Sequence, residues 1–118
     1  MPHANYLGVL WLCDVQLDPI HFGGAITTLD AFYQGQVSVT QPGDQMRGRV
    51  TAGFYHQIGY EKPIAHSREE YVDLAVQFAQ DRALREVSKT AILDSRSALF
   101  ENPGPIADFE AWLESVVR

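Results

Sequence analysis

The first half of the chain alternates between helical and extended patterns. Residues 6–13 carry Leu7, Leu10 and Trp11 at helical spacing, and residues 14–18 form a short strand-like run. Residues 19–26 contain two adjacent glycines and predict a loop, after which a short helix opens at residue 27 and ends at Gly35. Residues 36–40 are rich in β-branched side chains and predict a second strand. Strand, loop, helix and strand make a βαβ unit, so we expect the two strands to be parallel.

A second helix is predicted after this unit. Met46, Val50, Phe54 and Ile58 recur every four residues, and Gly59 follows at once as a natural C-terminal stop. We expect these four side chains to pack on the sheet.

Beyond residue 63 the pattern predicts only helices. Ser67 and Glu70 form a capping-box signature, Asp81 is expected to cap the next helix, and Pro105 to begin the last one. In the first of these helices one apolar stripe is formed by Tyr71, Leu74, Ala75, Phe78 and Ala79. The second helix carries Leu84, Val87 and Ala91, and the last carries Ile106, Phe109, Trp112, Leu113 and Val116.

These elements predict an α/β fold with a partial Rossmann-like parallel sheet and flanking helices. We interpret residues 1–118 as a single, incomplete domain, with a βαβα region over 1–65 and a helical region over 66–118. Only two strands are clear, with a weak third at residues 63–65. Because a parallel sheet normally has its faces and edges covered, a partner lobe, a preceding chain segment or a homo-oligomer is expected to cover this one.

Composition narrows the function classes. The chain has 118 residues, 46% of them hydrophobic and 20% charged, as expected of a packed domain. Its net charge of −6 argues against nucleic acid or an anionic membrane as a partner. Cys13 is the lone cysteine and no long apolar run is present, which predicts a cytoplasmic protein. The histidines have no metal-ligand spacing, so we expect no metal site.

The loop that enters the first βα helix is the candidate ligand site. Ligands of open α/β sheets bind at the carboxyl ends of the strands, where this loop lies. Gly23 and Gly24 would allow close backbone approach to a phosphate, while amides and hydroxyls of Thr27 and Thr28 face it, and Asp30 accepts hydrogen bonds from a ribose. The alternative is purely structural: Thr27 and Asp30 also form a capping-box variant, which spacing alone favours.

Several motifs together resemble one family. Residues 14–18 (DVQLD), 21–24 (HFGG), 27–31 (TTLDA), 42–43 (PG) and 47–50 (RGRV) are similar in order and spacing to the donor-binding half of the O-linked N-acetylglucosamine transferase family, including SPINDLY-like and bacterial relatives. The similarity continues through residues 69–71 to the closing helix. It implies the C-terminal lobe of a two-lobed (GT-B) glycosyltransferase, with a uridine diphosphate (UDP) sugar as donor substrate and no separate cofactor.

The resemblance also implies residue roles. Thr27 matches a threonine that contacts the donor diphosphate, Asp30 matches the acidic residue that contacts ribose, and Tyr6 stands where some members carry a histidine near the uracil ring. Gly23, Gly24 and Thr28 lie in the same loop. Arg49 either neutralises phosphate, or braces the loop through Asp18, or is an exposed charge at a helix start. The catalytic residues are not identified, because the N-terminal lobe that would hold them has no counterpart here.

Two other function classes stay open at this point. A two-lobed nucleotide-sugar epimerase also has a glycine-rich phosphate loop, although extra carboxylates at the sugar position are absent from the sequence. A non-catalytic nucleotide-binding or protein-interaction module is favoured by Ala25 and Ile26, which replace positions that are often small or polar in the family. Trp11 and Trp112 are predicted to lie in the core or at an interface.

Overall fold

The computed structural model describes residues 2–117, and each predicted helix and clear strand is present. One short helix, Ser97–Phe100, was not predicted. In chain order the elements are α1 His3–Leu12, β1 Gln16–Leu17, α2 Ile26–Tyr33, β2 Ser38–Val39, a 3₁₀ turn Met46–Gly48, α3 Val50–Ile58, α4 Arg68–Gln80, α5 Arg82–Ser95, α6 Ser97–Phe100 and α7 Gly104–Val116.

The two strands are parallel, as the βαβ pattern predicts. Gln16 lies opposite Ser38 and Leu17 opposite Val39, with α2 as the crossover. A further parallel bridge joins the residue after β2 to residue 64, where the weak third strand was expected. The prediction of a partial parallel sheet with a helical C-terminal region is therefore confirmed.

The hydrophobic core lies between this small sheet and helices α2 to α5. Its fully buried side chains come from all of these elements, and the ring centroids of Phe32 and Tyr55 are 4.6 Å apart. Aromatic side chains bury large areas, and these two rings join α2 to α3 within the core. The remaining members are Val37, Val39, Ala52, Ile58, Ile64, Phe78 and Ile92.

The buried face of α3 differs from the predicted one. The buried residues of this helix are Thr51, Ala52, Tyr55 and Ile58, whereas Met46 is 84% exposed in the preceding 3₁₀ turn. An α-helix turns once every 3.6 residues, so a strict four-residue spacing drifts around the helix and describes no single face. Its predicted end is confirmed by Gly59, which has a left-handed φ of 71°.

The predicted caps of α4 and α5 are confirmed. The hydroxyl of Ser67 accepts a hydrogen bond from the Glu70 amide at 3.1 Å, and the Asp81 carboxylate accepts one from the Leu84 amide at 2.9 Å. The Glu70 carboxylate accepts from the amide of His66 at 2.7 Å, so the reciprocal bond of the box forms one residue earlier than the pattern predicts.

Two helices leave apolar side chains exposed to solvent. In α5 the buried residues are Ser88 and Ile92, while Val87 is 65% exposed. In α7 no residue is buried, and Trp112 is 55% exposed. Val87, Trp112 and Trp11 of α1 therefore lie outside the core, and an interface stays the prediction for the two tryptophans. The exposed apolar face of α7 consists of Ile106, Phe109, Trp112, Leu113 and Val116.

Candidate functional site

A buried carboxylate organises the loop between β1 and α2. Asp18 is only 3% exposed and follows β1 directly. Its Oδ1 accepts a hydrogen bond from the Gly24 amide at 2.6 Å, and its Oδ2 accepts one from the Thr40 hydroxyl at 2.7 Å. The Tyr71 hydroxyl of α4 donates to the Asp18 carbonyl at 3.0 Å. Asp18 thus joins the loop to the ends of both strands and to α4.

This role of Asp18 was not predicted from the sequence. The feature of the sequence that could have indicated it is the position of Asp18 between a strand and a glycine pair. Burial and the nearby charge of Asp18 together raise the pKa of Tyr71 above its ordinary value of 10.0. Tyr71 therefore stays a neutral hydrogen-bond donor near neutral pH.

The two loop glycines are engaged within the protein. The Gly23 amide donates to the Arg47 carbonyl at 2.8 Å, and the Gly24 amide donates to Asp18. A Cβ atom on Gly24 would lie 2.6 Å from the hydroxyl oxygen of Thr27 and 2.7 Å from that of Thr28. Neither loop glycine has a positive φ, so backbone conformation does not require glycine here. At position 24 glycine is required because a side chain would collide with these two hydroxyls.

The first turn of α2 has no side-chain cap. Ala25 occupies the N-cap position, Thr27 lies inside the helix, and no side chain accepts a capping hydrogen bond. The capping-box interpretation of Thr27 and Asp30 is therefore wrong. The first amides of an uncapped helix have no partner within the helix and carry the positive end of its dipole. In α2 this positive end belongs to the amides at residues 26–28.

The two threonines of this turn face different surroundings. Thr28 is fully buried, and its Oγ1 lies 3.0 Å from the Oγ1 of Thr51 in α3. Thr51 in turn donates to the Gly24 carbonyl at 3.2 Å. Thr28 therefore attaches α2 to α3, whereas Thr27 is exposed on the open side of the loop.

Asp30 and Tyr6 lie close together although they belong to different helices. The Asp30 carboxylate is 3.1 Å from Nε2 of His3 in α1. The Tyr6 ring stacks on the same imidazole, with ring centroids 6.2 Å apart. Burial raises the pKa of Tyr6, and the charge of Asp30 adds to that rise. These two sequence-predicted site residues thus share one end of the α1–α2 contact.

Arg49 lies beside the loop rather than in it. It occupies the N-cap position of α3 and forms no ion pair with any residue between 2 and 117. The interpretation that Arg49 braces the loop through Asp18 is wrong, since Asp18 is bonded to Gly24 and Thr40. The Arg49 side chain instead lines a cleft of about 480 Å³, together with Met46, Val50, Gly53, Phe54 and Gln57.

Another cleft, of about 370 Å³, opens at the opposite end of the strands, where residues 13–14 and 36–37 line it. None of the predicted site residues lines it.

Among residues 2–117 no three His, Cys, Asp or Glu side chains are grouped to hold a metal ion, and no helix is long and apolar enough to cross a membrane. The structure thus brings Gly23, Gly24, Thr27 and Thr28 together at the start of α2 and places Tyr6 near Asp30, whereas Arg49 lies apart from both groups in the neighbouring cleft.

Known proteins similar to this chain point to one family. Residues 7–104 match glycosyl transferase family 41. A UDP-glucose:protein N-beta-glucosyltransferase of Actinobacillus pleuropneumoniae is 30% identical over 104 residues, which cover 87% of this chain and 16% of that protein. A probable UDP-N-acetylglucosamine–peptide N-acetylglucosaminyltransferase SPINDLY of Petunia hybrida is 34% identical over 70 residues, covering 59% of this chain and 8% of that protein.

A solved structure agrees with these relatives. A mutant of the Thermobaculum terrenum O-GlcNAc transferase superposes with a TM-score of 0.81 at 28% identity, covering 99% of this chain and 22% of that one. The chain thus spans less than a quarter of the length of each of these proteins. Its fold is that of a partial GT-B lobe with a helical C-terminal region. The chain belongs to glycosyl transferase family 41.

Proposed function

We propose that this chain is the donor-binding part of a glycosyltransferase, that it binds a UDP-sugar, and that it needs a second lobe for catalysis. One observation carries the proposal: α2 begins without a side-chain cap at the carboxyl ends of parallel strands, inside the segment that matches the family. The names of the relatives, which include UDP-glucose and UDP-N-acetylglucosamine, support a uridine nucleotide as ligand.

The diphosphate is proposed to lie against the first turn of α2. There the amides of Ile26 and Thr27 and the exposed Thr27 hydroxyl would donate hydrogen bonds, with the helix dipole behind them. Gly24 keeps the space beside the Thr27 hydroxyl free because it has no side chain, and Thr28 attaches the turn to α3 through Thr51. A local site of this kind can bind an anion although the chain carries a net charge of −6.

The nucleoside is proposed to lie between α1 and α2. Asp30 would accept hydrogen bonds from the ribose hydroxyls, and Tyr6 would present its ring to the base. His3 now occupies one carboxylate oxygen of Asp30, but this contact is exposed and such surface pairs are worth only about 0–1 kcal/mol, so a ribose can replace it. Arg49 would add positive charge from the neighbouring cleft.

Two observations support the proposal of a second lobe: the chain matches a small part of its relatives, and the apolar face of α7 is exposed. The matched segment is 16% of the bacterial relative, and the apolar face of α7 has no buried residue. An apolar face of this kind is typical of a surface that packs against another part of an assembly. A site that holds only the donor cannot orient two substrates, so the acceptor and the catalytic groups would come from that lobe.

Thermal unfolding with added nucleotide tests the donor site. At a UDP concentration of about 100 times the dissociation constant, linkage predicts about 2.7 kcal/mol of added stability, which raises the midpoint by several degrees. Adenosine diphosphate should give a smaller shift. Asp30→Ala should reduce the UDP shift, whereas His3→Ala, which removes the partner and keeps the carboxylate, should retain it. Asp108→Ala removes an exposed carboxylate of α7 and serves as the matched control.

No shift at saturating UDP would contradict the proposal. The exposed face of α7 and the apolar pair Ala25 and Ile26 would then favour the second candidate, a non-catalytic protein-interaction module. Sedimentation of the purified chain separates the two: self-association without nucleotide binding is the result expected of the module.

A further inference from the structure

We propose that Asp18 is a positioning residue for the donor site: its buried carboxylate fixes the Gly24 peptide and thereby aims the first-turn amides of α2 at the diphosphate. This inference rests on the proposed function. Asp18 itself does not contact the donor in this proposal, because both of its carboxylate oxygens face the protein.

The contacts of Asp18 are those of an orienting group. The 2.6 Å bond from the Gly24 amide and the 2.7 Å bond from the Thr40 hydroxyl are short, as is usual when the acceptor is ionised. No cation pairs with Asp18 anywhere in residues 2–117. The stability of a buried carboxylate that has only neutral donors depends on the positions of those donors. The carboxylate of Asp18 and the loop that carries Gly24 therefore hold each other in place.

The constraint is passed to α2 through Gly24. Asp18 holds the amide of Gly24, and Thr51 donates to its carbonyl at 3.2 Å. Both sides of this residue are therefore fixed, and it lies two positions before Ile26, the first residue of α2. Thr28, one turn into the helix, is held by the same Thr51 hydroxyl. The path of the chain into α2, and with it the direction of its free amides, follows from this network.

Charge and geometry make opposite predictions for Asp18→Asn. A negative charge close to the positive end of α2 weakens the binding of another anion, so removing it should strengthen diphosphate binding if charge alone matters. An asparagine has one acceptor oxygen for two donors, Gly24 and Thr40, and turns an NH₂ group towards one of them. If Asp18 acts by positioning, the loop shifts and diphosphate binding weakens.

The experiment compares UDP with uridine in the full 118-residue chain by calorimetric or NMR titration. We expect Asp18→Asn to weaken UDP about tenfold and to leave uridine within about twofold, because small displacements of a binding group cost this much while the nucleoside contacts lie elsewhere. Asp14→Asn is the matched control. Asp14 lies before the other end of β1 and pairs with Arg85 at 2.8 Å, so its loss should change neither affinity.

Thr40→Val gives a second, milder variant should Asp18→Asn not fold. It removes one of the two donors while keeping the shape of the side chain, and it should weaken UDP in the same direction with uridine unchanged. Unchanged or tighter UDP binding in the folded variants overturns the proposal. An equal loss for UDP and uridine also overturns it, since that result indicates a general loss of structure.

Inorganic pyrophosphate separates this proposal from the donor function itself. If the unaltered chain binds no UDP, pyrophosphate is titrated while the amide signals of Ile26, Thr27 and Thr28 are followed by NMR. Shifts that disappear in Asp18→Asn support the positioning role and leave only the uridine nucleotide function refuted. Absence of these shifts in the unaltered chain refutes both.

Discussion

The phenol oxygen of Tyr55 lies 2.9 Å from the backbone nitrogen of Ser38 and accepts its hydrogen bond inside the core. Tyr55 belongs to α3 and Ser38 to β2, so this bond attaches the helix to the sheet. Tyr55 is fully buried, and burial raises its pKa well above the ordinary value of 10.0; the bond from Ser38 opposes that rise but does not cancel it.

Tyr55 should make the chain sensitive to alkali. The neutral phenol is favoured in the folded state, so the contribution is fully present below pH 10.0, the ordinary tyrosine pKa. Above it the unfolded state binds fewer protons than the folded state, and stability should fall by up to about 1.4 kcal/mol per pH unit for this group. Urea unfolding between about pH 8 and about pH 11 measures the slope.

Tyr55→Phe separates this titration from the others. At neutral pH it should cost about 1–3 kcal/mol, because the buried Ser38 amide loses its acceptor, but the fall above pH 10.0 should be shallower. Tyr33→Phe changes an exposed tyrosine and is the control. An unchanged alkaline slope in Tyr55→Phe would contradict the prediction.

Gly24→Ala should destabilise the loop, whereas Gly8→Ala should not. The new Cβ at position 24 would meet the Thr27 and Thr28 hydroxyls at 2.6 and 2.7 Å, and we expect a loss of about 1–3 kcal/mol from this overpacking. At Gly8 nothing lies within 4 Å of the new atom, so alanine should stabilise α1 by about 0.5–1 kcal/mol. Urea unfolding of both variants is the measurement, and effects of the same sign would count against this view.

Phe78 and Phe109 should differ sharply in their contribution to stability. Phe78→Ala empties a fully buried position of α4 and should cost about 3–5 kcal/mol. Phe109→Ala changes an exposed position of α7 and should stay within about 0.5 kcal/mol in the isolated chain. Thermal or urea unfolding measures both. A large loss from Phe109→Ala would mean that α7 packs on the rest of this chain in solution.

Local signals in the sequence determined most of the elements. The hydroxyl of Ser67 and the carboxylate of Asp81 cap helices through amides only three residues away, and Gly59 ends α3 through its own left-handed backbone. Contacts of this range depend on adjacent residues alone. The parallel pairing also followed from the sequence, because a strand, a crossover helix and a second strand leave little choice of direction.

Tertiary structure alone decided which groups build the site. Asp18 is bonded to Thr40, 22 residues away, and its carbonyl to Tyr71, 53 residues away, and no periodicity encodes such pairs. The same holds for Thr28. Its position in the sequence predicted that it faces a ligand, but in the structure it contacts Thr51 inside the protein. The sequence by itself determined a βαβ unit, its loop and the family pattern. Which amides of that loop are engaged and which stay open depended on packing, because hydrogen bonds between distant segments form only when the whole fold brings their donors and acceptors together.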